Sequence, residues 1–367
     1  MNARQGKTPR AGATLRDIAE RLDVAISTVS RALAGHPAIS AGTREQVIAA
    51  AAAAGYRVPS RGRSRVVGTK MVGVVVGALH NRFMTLLLQH LHDALQEEGY
   101  QVVLLIDPMT DAGNLLAFRP LIDGFLDGLL FATATLDSPV VPELKRRGVP
   151  LVLVVRSVDD AFLDVVEIDN LQAGVEAARH LYELGHRRIG LIMGPGNTST
   201  GRDRTAGALQ WLEQAGVPRS SIGLIHTEYT SEMGYSSAIA MLRGQTGVTA
   251  IVAGNDLIAL GVLEAAKSKG VAVPRQLSVI GFDDMPMASS PLVALTSIRQ
   301  PVEAMARMAA KRLVQRMRRH NVGPPTRDVL PIQLLRRDTT APPPAEPTPS
   351  RREGPSRARR RQPGDLL

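Results

Sequence analysis

From residue 71 onward the chain alternates short apolar runs with segments of helical periodicity, and that alternation restricts the fold more than any other feature. Runs at 71–77, 101–106, 128–132, 150–155, 188–193, 221–226, 249–253 and 277–281 read as buried strands. Between the first two, Phe83, Leu86, Leu87, His90, Leu91, Ala94 and Leu95 recur at helical spacing and stop at Gly99. A strand that is apolar throughout is buried on both faces, and strand–helix repeats cover both faces with helices, giving doubly wound parallel α/β sheets. About 270 residues is more than one such sheet uses, so two similar lobes are expected over 71–340.

The stretch ahead of this body has a different period. Thr14-Leu15-Arg16-Asp17 opens a helix, with Thr14 as N-cap and Asp17 completing a capping box. Leu15, Ile18, Ala19 and Leu22 then form one apolar stripe. A tight turn at Asp23-Val24-Ala25-Ile26 leads to a second short helix. There Val29, Ala32 and Leu33 point inward, while Ile26, Ser27, Thr28, Ser30 and Arg31 are free to face outward. A third helix starts at Ser40, carries Val47, Ile48 and the alanine run 49–54, and stops at Gly55. Three short helices, two joined by a tight turn with small polar residues and an arginine on the second, make an all-α helix-turn-helix head over 13–58.

Charge separates head from body. The chain carries a formal +10, and residues 1–70 hold 12 Lys/Arg against 4 Asp/Glu, while 341–367 hold 6 Arg against 3 acidic residues. The body between them is close to neutral. A basic head on a neutral body is the footprint of a polyanion-binding module joined to something that binds something else. Residues 1–12 read as a disordered arm, 59–70 as a hinge linker dense in Gly, Ser and Arg, and 341–367, with 7 prolines, as a disordered basic tail. The absence of cysteine excludes disulfides and thiolate metal sites and fits a reducing cytoplasm. No apolar run is long enough to span a bilayer, so no membrane partner is expected.

Catalytic patterns are absent. There is no Gly-rich dinucleotide fingerprint after a strand, no P-loop and no nucleophile elbow, and Gly194-Pro195-Gly196 reads as a turn. The 8 histidines lack ligand spacing; His90 and His92, two apart on a helix, point to different faces. No catalytic residue, metal site or cofactor is expected, and the chain does not read as an enzyme.

Several motifs in fixed order carry a resemblance. In the head these are Thr14-Leu15-Arg16-Asp17-Ile18-Ala19, Thr28-Val29-Ser30-Arg31-Ala32-Leu33 and Gly55-Tyr56. In the body they are Asp169-Asn170, Gly185-His186-Arg187-Arg188-Ile189, Gly194-Pro195, Arg202-Asp203-Arg204, Asn255-Asp256, Gly281-Phe282-Asp283-Asp284, Arg299-Gln300-Pro301 and Arg337-Asp338-Thr339-Thr340. Together they resemble the lactose/galactose repressor family of bacterial transcription regulators over residues 14–340.

For the head the resemblance implies that the second helix lies in the major groove of operator DNA. Arg31 would read a guanine edge, Ile26 and Ser27 would choose the operator, and Thr14, Thr28, Ser30 and Tyr56 would complete the contact surface. Ala25 stands where the family usually has Ser, a loss of an N-cap that costs about 1 kcal/mol. In the linker, Arg61, Arg63 and Arg65 would meet phosphates and Val66 is the nearest candidate for a minor-groove wedge. The departures there are an added residue before Pro59 and the helix-weakening Gly62.

For the body the resemblance implies two lobes of periplasmic-binding-protein type, linked by three crossovers, with an effector in the cleft. By position, Arg204 would pair with a polar or anionic group, Asn255 and Asp283 would bond hydroxyls, Tyr235 would stack on the ligand and Gln300 would line a crossover. Asp169-Asn170 reads as a helix cap. These side-chain types suit a sugar-like ligand, although Val155 sits where many sugar-binding members have Asp or Asn. The expectation is a cytoplasmic, homodimeric, operator-binding repressor controlled by a small molecule. Two other readings use the same body: a solute-binding protein, against which the basic head argues, and an α/β sugar enzyme, which lacks a catalytic pair.

Overall fold

The computed structural model describes residues 14–33, 39–54, 68–77, 79, 81–107, 125–159, 162–244, 247–318 and 323–344. The 1–12 arm, Tyr56, Arg61, Arg63, Arg65, Val66 and the tail from 345 lie outside the described residues.

The head contains α1 (Leu15–Leu22), α2 (Ile26–Leu33) and α3 (Ala41–Ala53). Thr14 caps α1 reciprocally: Asp17 N–H donates to Thr14 Oγ1 at 3.3 Å, and Thr14 N–H donates to Asp17 Oδ2 at 2.7 Å. Asp23 ends α1 in the left-handed region, with φ of 50°. The Ala25 carbonyl accepts the N–H groups of Thr28 and Val29 and so starts α2 without a side-chain acceptor. Ser40 Oγ accepts the Thr43 N–H at the start of α3. Ile18, Ala19, Val29, Ala32, Val47, Ala50 and Ala51 form the head's core. The alanine run lets α3 pack closely on its neighbours.

The body holds two six-stranded sheets. The first is built from β1 (Met71–Val76), β2 (Gln101–Ile106), β3 (Gly128–Phe131), β4 (Leu151–Val154), β5 (Asp164–Ile168) and β11 (Arg327–Leu330). Its order is β2-β1-β3-β4-β5-β11. The second uses β6 (Ile189–Met193), β7 (Ile222–His226), β8 (Ala250–Ala253), β9 (Ser278–Asp283), β10 (Thr296–Arg299) and β12 (Gln333–Leu335) in the order β7-β6-β8-β9-β10-β12. Pairings are parallel apart from β10 with β12. Helices α4 (Arg82–Glu97), α5 (Val140–Arg146) and α10 (Val302–Arg318) serve the first lobe. Helices α6 (Asn170–Glu183), α7 (Ser199–Gln214), α8 (Ser231–Arg243) and α9 (Asp256–Ser268) serve the second. The chain crosses between lobes after β5, after β10 and after β11, so Asp169, Gln300 and Pro331 sit at the three crossovers.

The apolar runs of the sequence became strands, but β5 and β10 to β12 do not look like apolar runs. In β5, Asp164 and Glu167 are buried and neutralised from outside the strand. Arg316 takes Asp164 through two hydrogen bonds, and Arg327 Nε donates to Glu167 Oε1 at 2.7 Å. Helices α6 and α7 approach so closely that a Cβ on Gly174 would stand 2.2 Å from the Arg204 carbonyl, and one on Gly207 would stand 2.0 Å from that of Leu171. This contact sets the position of α7 and hence of Arg204.

One boundary differs from the sequence reading. Residues 341–344 belong to the body: the Ala341 N–H donates to Ser278 Oγ at 3.0 Å, and its carbonyl accepts from the same hydroxyl at 2.9 Å. His186, buried in the second lobe, lies 2.9 Å from that carbonyl through Nε2. Proline content alone hid these specific backbone bonds.

Candidate functional site: an exposed helix face and an interlobe cleft

On α2 the residues divide by burial. Val29 and Ala32 are buried, Ile26, Ser27 and Arg31 are exposed, and Thr28 and Ser30 are half-buried. Ile26 is 48% exposed. Positions 26, 27, 30 and 31 share one face because residues four apart on a helix align. An apolar residue, two hydroxyls and a guanidinium on one face can meet a thymine methyl, phosphates and a guanine edge. Thr14 is exposed, and its hydroxyl is engaged in the cap of α1.

The second site lies at the carboxyl ends of the strands of both sheets, where open α/β sheets bind ligands. A narrow cleft, with a free volume of about 30 Å³, is lined from the first lobe by Asn81, Phe83 and Met84 after β1 and by Val155 and Arg156 after β4. The second lobe contributes Thr200 and Arg204 from α7, Tyr229 after β7, Asn255 after β8 and Asp283 at the end of β9, and Gln300 enters from a crossover. Polar groups from both lobes therefore converge on one narrow cleft.

Arg204 is 3% exposed and held from three sides. Its Nε donates to Asn170 Oδ1 at 3.0 Å, its Nη1 donates to the Gly254 carbonyl at 2.7 Å, and its guanidinium lies 4.7 Å from the centre of the Phe282 ring. Asp283 Oδ1 is 3.8 Å from Arg204 Nη1 and accepts from Gln300 Nε2 at 2.6 Å. Burial pushes the Asp283 carboxyl up to about 6, against the opposing pull of Arg204 and Gln300. Asp256, directly behind it, is raised well above its usual range, first by burial and then by the charge of Asp283. Asn255 caps α9, accepting the Ile258 N–H at 2.9 Å. Gln300 is buried, and among the described residues its Oε1 has no hydrogen-bond partner. An orphaned acceptor in the wall of a polar cleft is what a ligand hydroxyl or amide would satisfy.

Arg204, Asn255, Asp283 and Gln300 thus come together, whereas Tyr235 does not. It sits on α8, where its hydroxyl donates to Ser268 Oγ at 3.2 Å between α8 and α9. The reason is topological: the aromatic at the strand end is Tyr229, in the loop directly after β7, and six residues further the chain has already turned along α8. Asp169 caps α6, accepting from the Gln172 N–H at 2.8 Å, while Asn170 orients Arg204. Arg156, Tyr229 and Thr200 escaped sequence reading. The available signal for Arg156 was its place immediately after the run ending at Val155.

The lobes are bridged at the cleft rim. The Leu136 N–H donates to the Asn197 carbonyl at 2.8 Å, and the Ser157 N–H donates to Ser199 Oγ at 3.0 Å. Arg202 Nη1 donates to both Asp159 carboxylate oxygens at 2.9 Å. These partners on opposite lobes must separate if the cleft opens. Among the described residues, no cluster of His, Cys, Asp and Glu could hold a metal ion, and no helix is long and apolar enough to cross a membrane.

Residues 14–59 match the family of bacterial regulatory proteins of lacI type, and residues 178–340 match a periplasmic binding protein-like domain. An HTH-type transcriptional regulator in the aml 5′ region of Streptomyces limosus is 35% identical over 335 residues, 89% of this chain and 94% of the relative. The regulator DegA of Bacillus subtilis is 31% identical, covering 90% of this chain and 98% of its own. Among solved structures, the regulator CelR in complex with cellobiose has a TM-score of 0.67 at 30% identity, covering 89% of this chain and 99% of its own. The lac repressor dimer bound to operator and an anti-inducer has a TM-score of 0.65 at 26% identity, covering 90% and 100%.

Proposed function

The chain belongs to the lacI family of bacterial regulatory proteins, and from that premise we propose that a small hydroxylated molecule in its interlobe cleft controls its affinity for a specific operator. It is a DNA-binding transcriptional regulator and not an enzyme. It acts as a repressor and as a homodimer in the cytoplasm, since a two-fold operator requires paired heads. The head over 13–58 reads DNA through Ile26, Ser27, Thr28, Ser30 and Arg31, the 59–70 hinge follows the backbone, and 71–340 senses the effector and dimerises. The likeness to a cellobiose-bound regulator favours a sugar or sugar derivative.

The observation that carries the effector reading is the buried, unpartnered Oε1 of Gln300 beside Arg204, Asn255 and Asp283. A ligand that supplies the missing donor is bound only when both lobes surround it. It can alter DNA affinity only through its preference between lobe arrangements. The test is a thermal-unfolding screen of sugars, sugar acids, sugar phosphates and nucleosides on the full chain, because a ligand at a hundred times its Kd stabilises by about 2.7 kcal/mol. At least one compound is expected to raise the melting temperature and to change binding to an operator selected from random duplexes. A compound that binds without changing operator affinity contradicts the reading.

A further inference from the structure

Arg156 is the cleft residue whose chemistry the neutral-sugar reading leaves unexplained. It is 6% exposed, and its Nη1 donates to the Thr133 carbonyl across a long 3.3 Å. Its guanidinium lies 5.7 Å from the centre of the Tyr229 ring. Among the described residues no carboxylate comes within ion-pair distance of it. The nearby acids are otherwise placed: Asp107 is half-buried and accepts the Thr133 hydroxyl at 2.7 Å, and Glu228 is exposed. Among the described residues the other buried arginine, Arg204, is held by Asn170, Gly254 and Asp283. The cleft therefore faces its occupant with two guanidinium groups and one carboxylate.

A guanidinium has five N–H donors in a fixed fork that matches the oxygens of phosphate or carboxylate, and Arg156 uses little of that capacity within the protein. Val155, Phe83 and Met84 form the apolar part of the same wall and lower the local dielectric, so an oxyanion placed there would be held strongly. Hydroxyls are at hand to share it: Thr200 Oγ1 and the Tyr229 hydroxyl, 3.0 Å apart, line the same cleft. Burial pulls the Arg156 guanidinium down from its ordinary range, and Tyr229, Asp107 and Glu228 oppose that pull.

We propose that the effector carries an oxyanion substituent, a phosphate or a carboxylate, on its hydroxylated frame, and that Arg156 binds that group while Arg204, Asn255, Asp283 and Gln300 hold the rest. The assignment rests on the cleft being the effector site. It makes sugar phosphates and sugar acids the preferred class over their neutral parents.

The experiment compares matched probes on the full chain by thermal unfolding and titration calorimetry: glucose, glucose 6-phosphate and gluconate; ribose, ribose 5-phosphate and ribonate; and inorganic phosphate alone. Within a set, the phosphorylated or acid member is expected to bind at least tenfold more tightly than the neutral sugar, and the two arms distinguish phosphate from carboxylate. Arg156→Gln is expected to bring that ratio close to one while its ligand-free melting temperature equals or exceeds that of the parent. Neutral sugars that bind as tightly as their anionic forms would overturn the proposal and leave the effector cleft standing, as would an anion preference that survives Arg156→Gln. Inorganic phosphate binding as tightly as the sugar phosphate would reduce it to adventitious anion binding. If no probe of any set binds, the cleft reading falls and the proposal with it. Arg156→Met separates the remaining case: a large drop in its ligand-free melting temperature makes Arg156 a scaffold residue and overturns the assignment.

Discussion

Gln300 donates its side-chain amide to Asp283 across 2.6 Å, tying an interlobe crossover to the carboxyl end of β9 inside the cleft. Asp283 has a φ of 103°, in a region that Asp and Asn tolerate better than most residues. The pair thus joins an interlobe crossover to a side chain that lines the cleft.

The raised pKa of Asp283 gives the first prediction. The folded state holds this proton until about pH 6, against an ordinary value of 3.8. Because the folded form binds the proton more tightly, the contribution of Asp283 to stability is full below pH 3.8 and declines as pH rises to 6. Above that it is constant. The melting temperature of the parent minus that of Asp283→Asn should therefore fall between those limits and then level off. A difference independent of pH would mean that the carboxyl titrates normally.

The two tyrosines separate cleft from scaffold. Tyr229→Ala should weaken binding of an identified effector by about tenfold or more, roughly the 1–2 kcal/mol expected of an aromatic contact that also aligns Arg156. Tyr235→Phe should leave effector affinity unchanged, because its lost bond to Ser268 lies between α8 and α9. Calorimetry on the two variants decides, and the reverse order of effects would restore Tyr235 to the site.

Most of the lobes could be read from sequence because a fully buried strand leaves an unbroken apolar run and a capped helix start leaves a spacing. Thr14 with Asp17, and Asp169 ahead of α6, were legible for that reason. Strand β5 was not, since Asp164 and Glu167 are buried in ion pairs with Arg316 and Arg327, more than 150 residues away in sequence. The motifs also mixed purposes. In Gly281-Phe282-Asp283-Asp284, Asp283 faces the cleft, whereas Asp284 accepts from Arg299 and Arg337 and binds two further motifs to the strand. Thr339 donates its hydroxyl to the Val279 carbonyl and accepts the Thr296 N–H, so the last motif closes the second sheet. Arg156 follows a strand without any motif of its own, and only the fold reveals that it has no ion pair among the described residues.

The end of the body gives a further prediction. A chain ending at residue 340 loses the bonds that Ala341 makes with Ser278 and His186. At about 0.5–1.5 kcal/mol for each of these three net hydrogen bonds, it should be roughly 1.5–4.5 kcal/mol less stable than one ending at residue 344. Urea unfolding of the two chains measures this, and equal midpoints would show that residues 341–344 contribute nothing.

For the head, Arg31→Ala should cost on the order of 1–3 kcal/mol on operator and little on random duplex. Equal losses on both, with a reduced salt dependence, would identify Arg31 as a phosphate contact.

The central claim is that occupancy of the cleft controls DNA binding, and fluorescence anisotropy of a labelled operator tests it most directly. Operator affinity is measured for the parent and for Asp283→Asn, each with and without the compound that raises the parent's melting temperature. The ligand should change the parent's affinity by about tenfold or more, equivalent to 1.4 kcal/mol. The variant should bind operator within about tenfold of the ligand-free parent and ignore the ligand. A ligand that binds the cleft and leaves the parent's operator affinity unchanged would contradict the account, as would a variant that responds as fully as the parent.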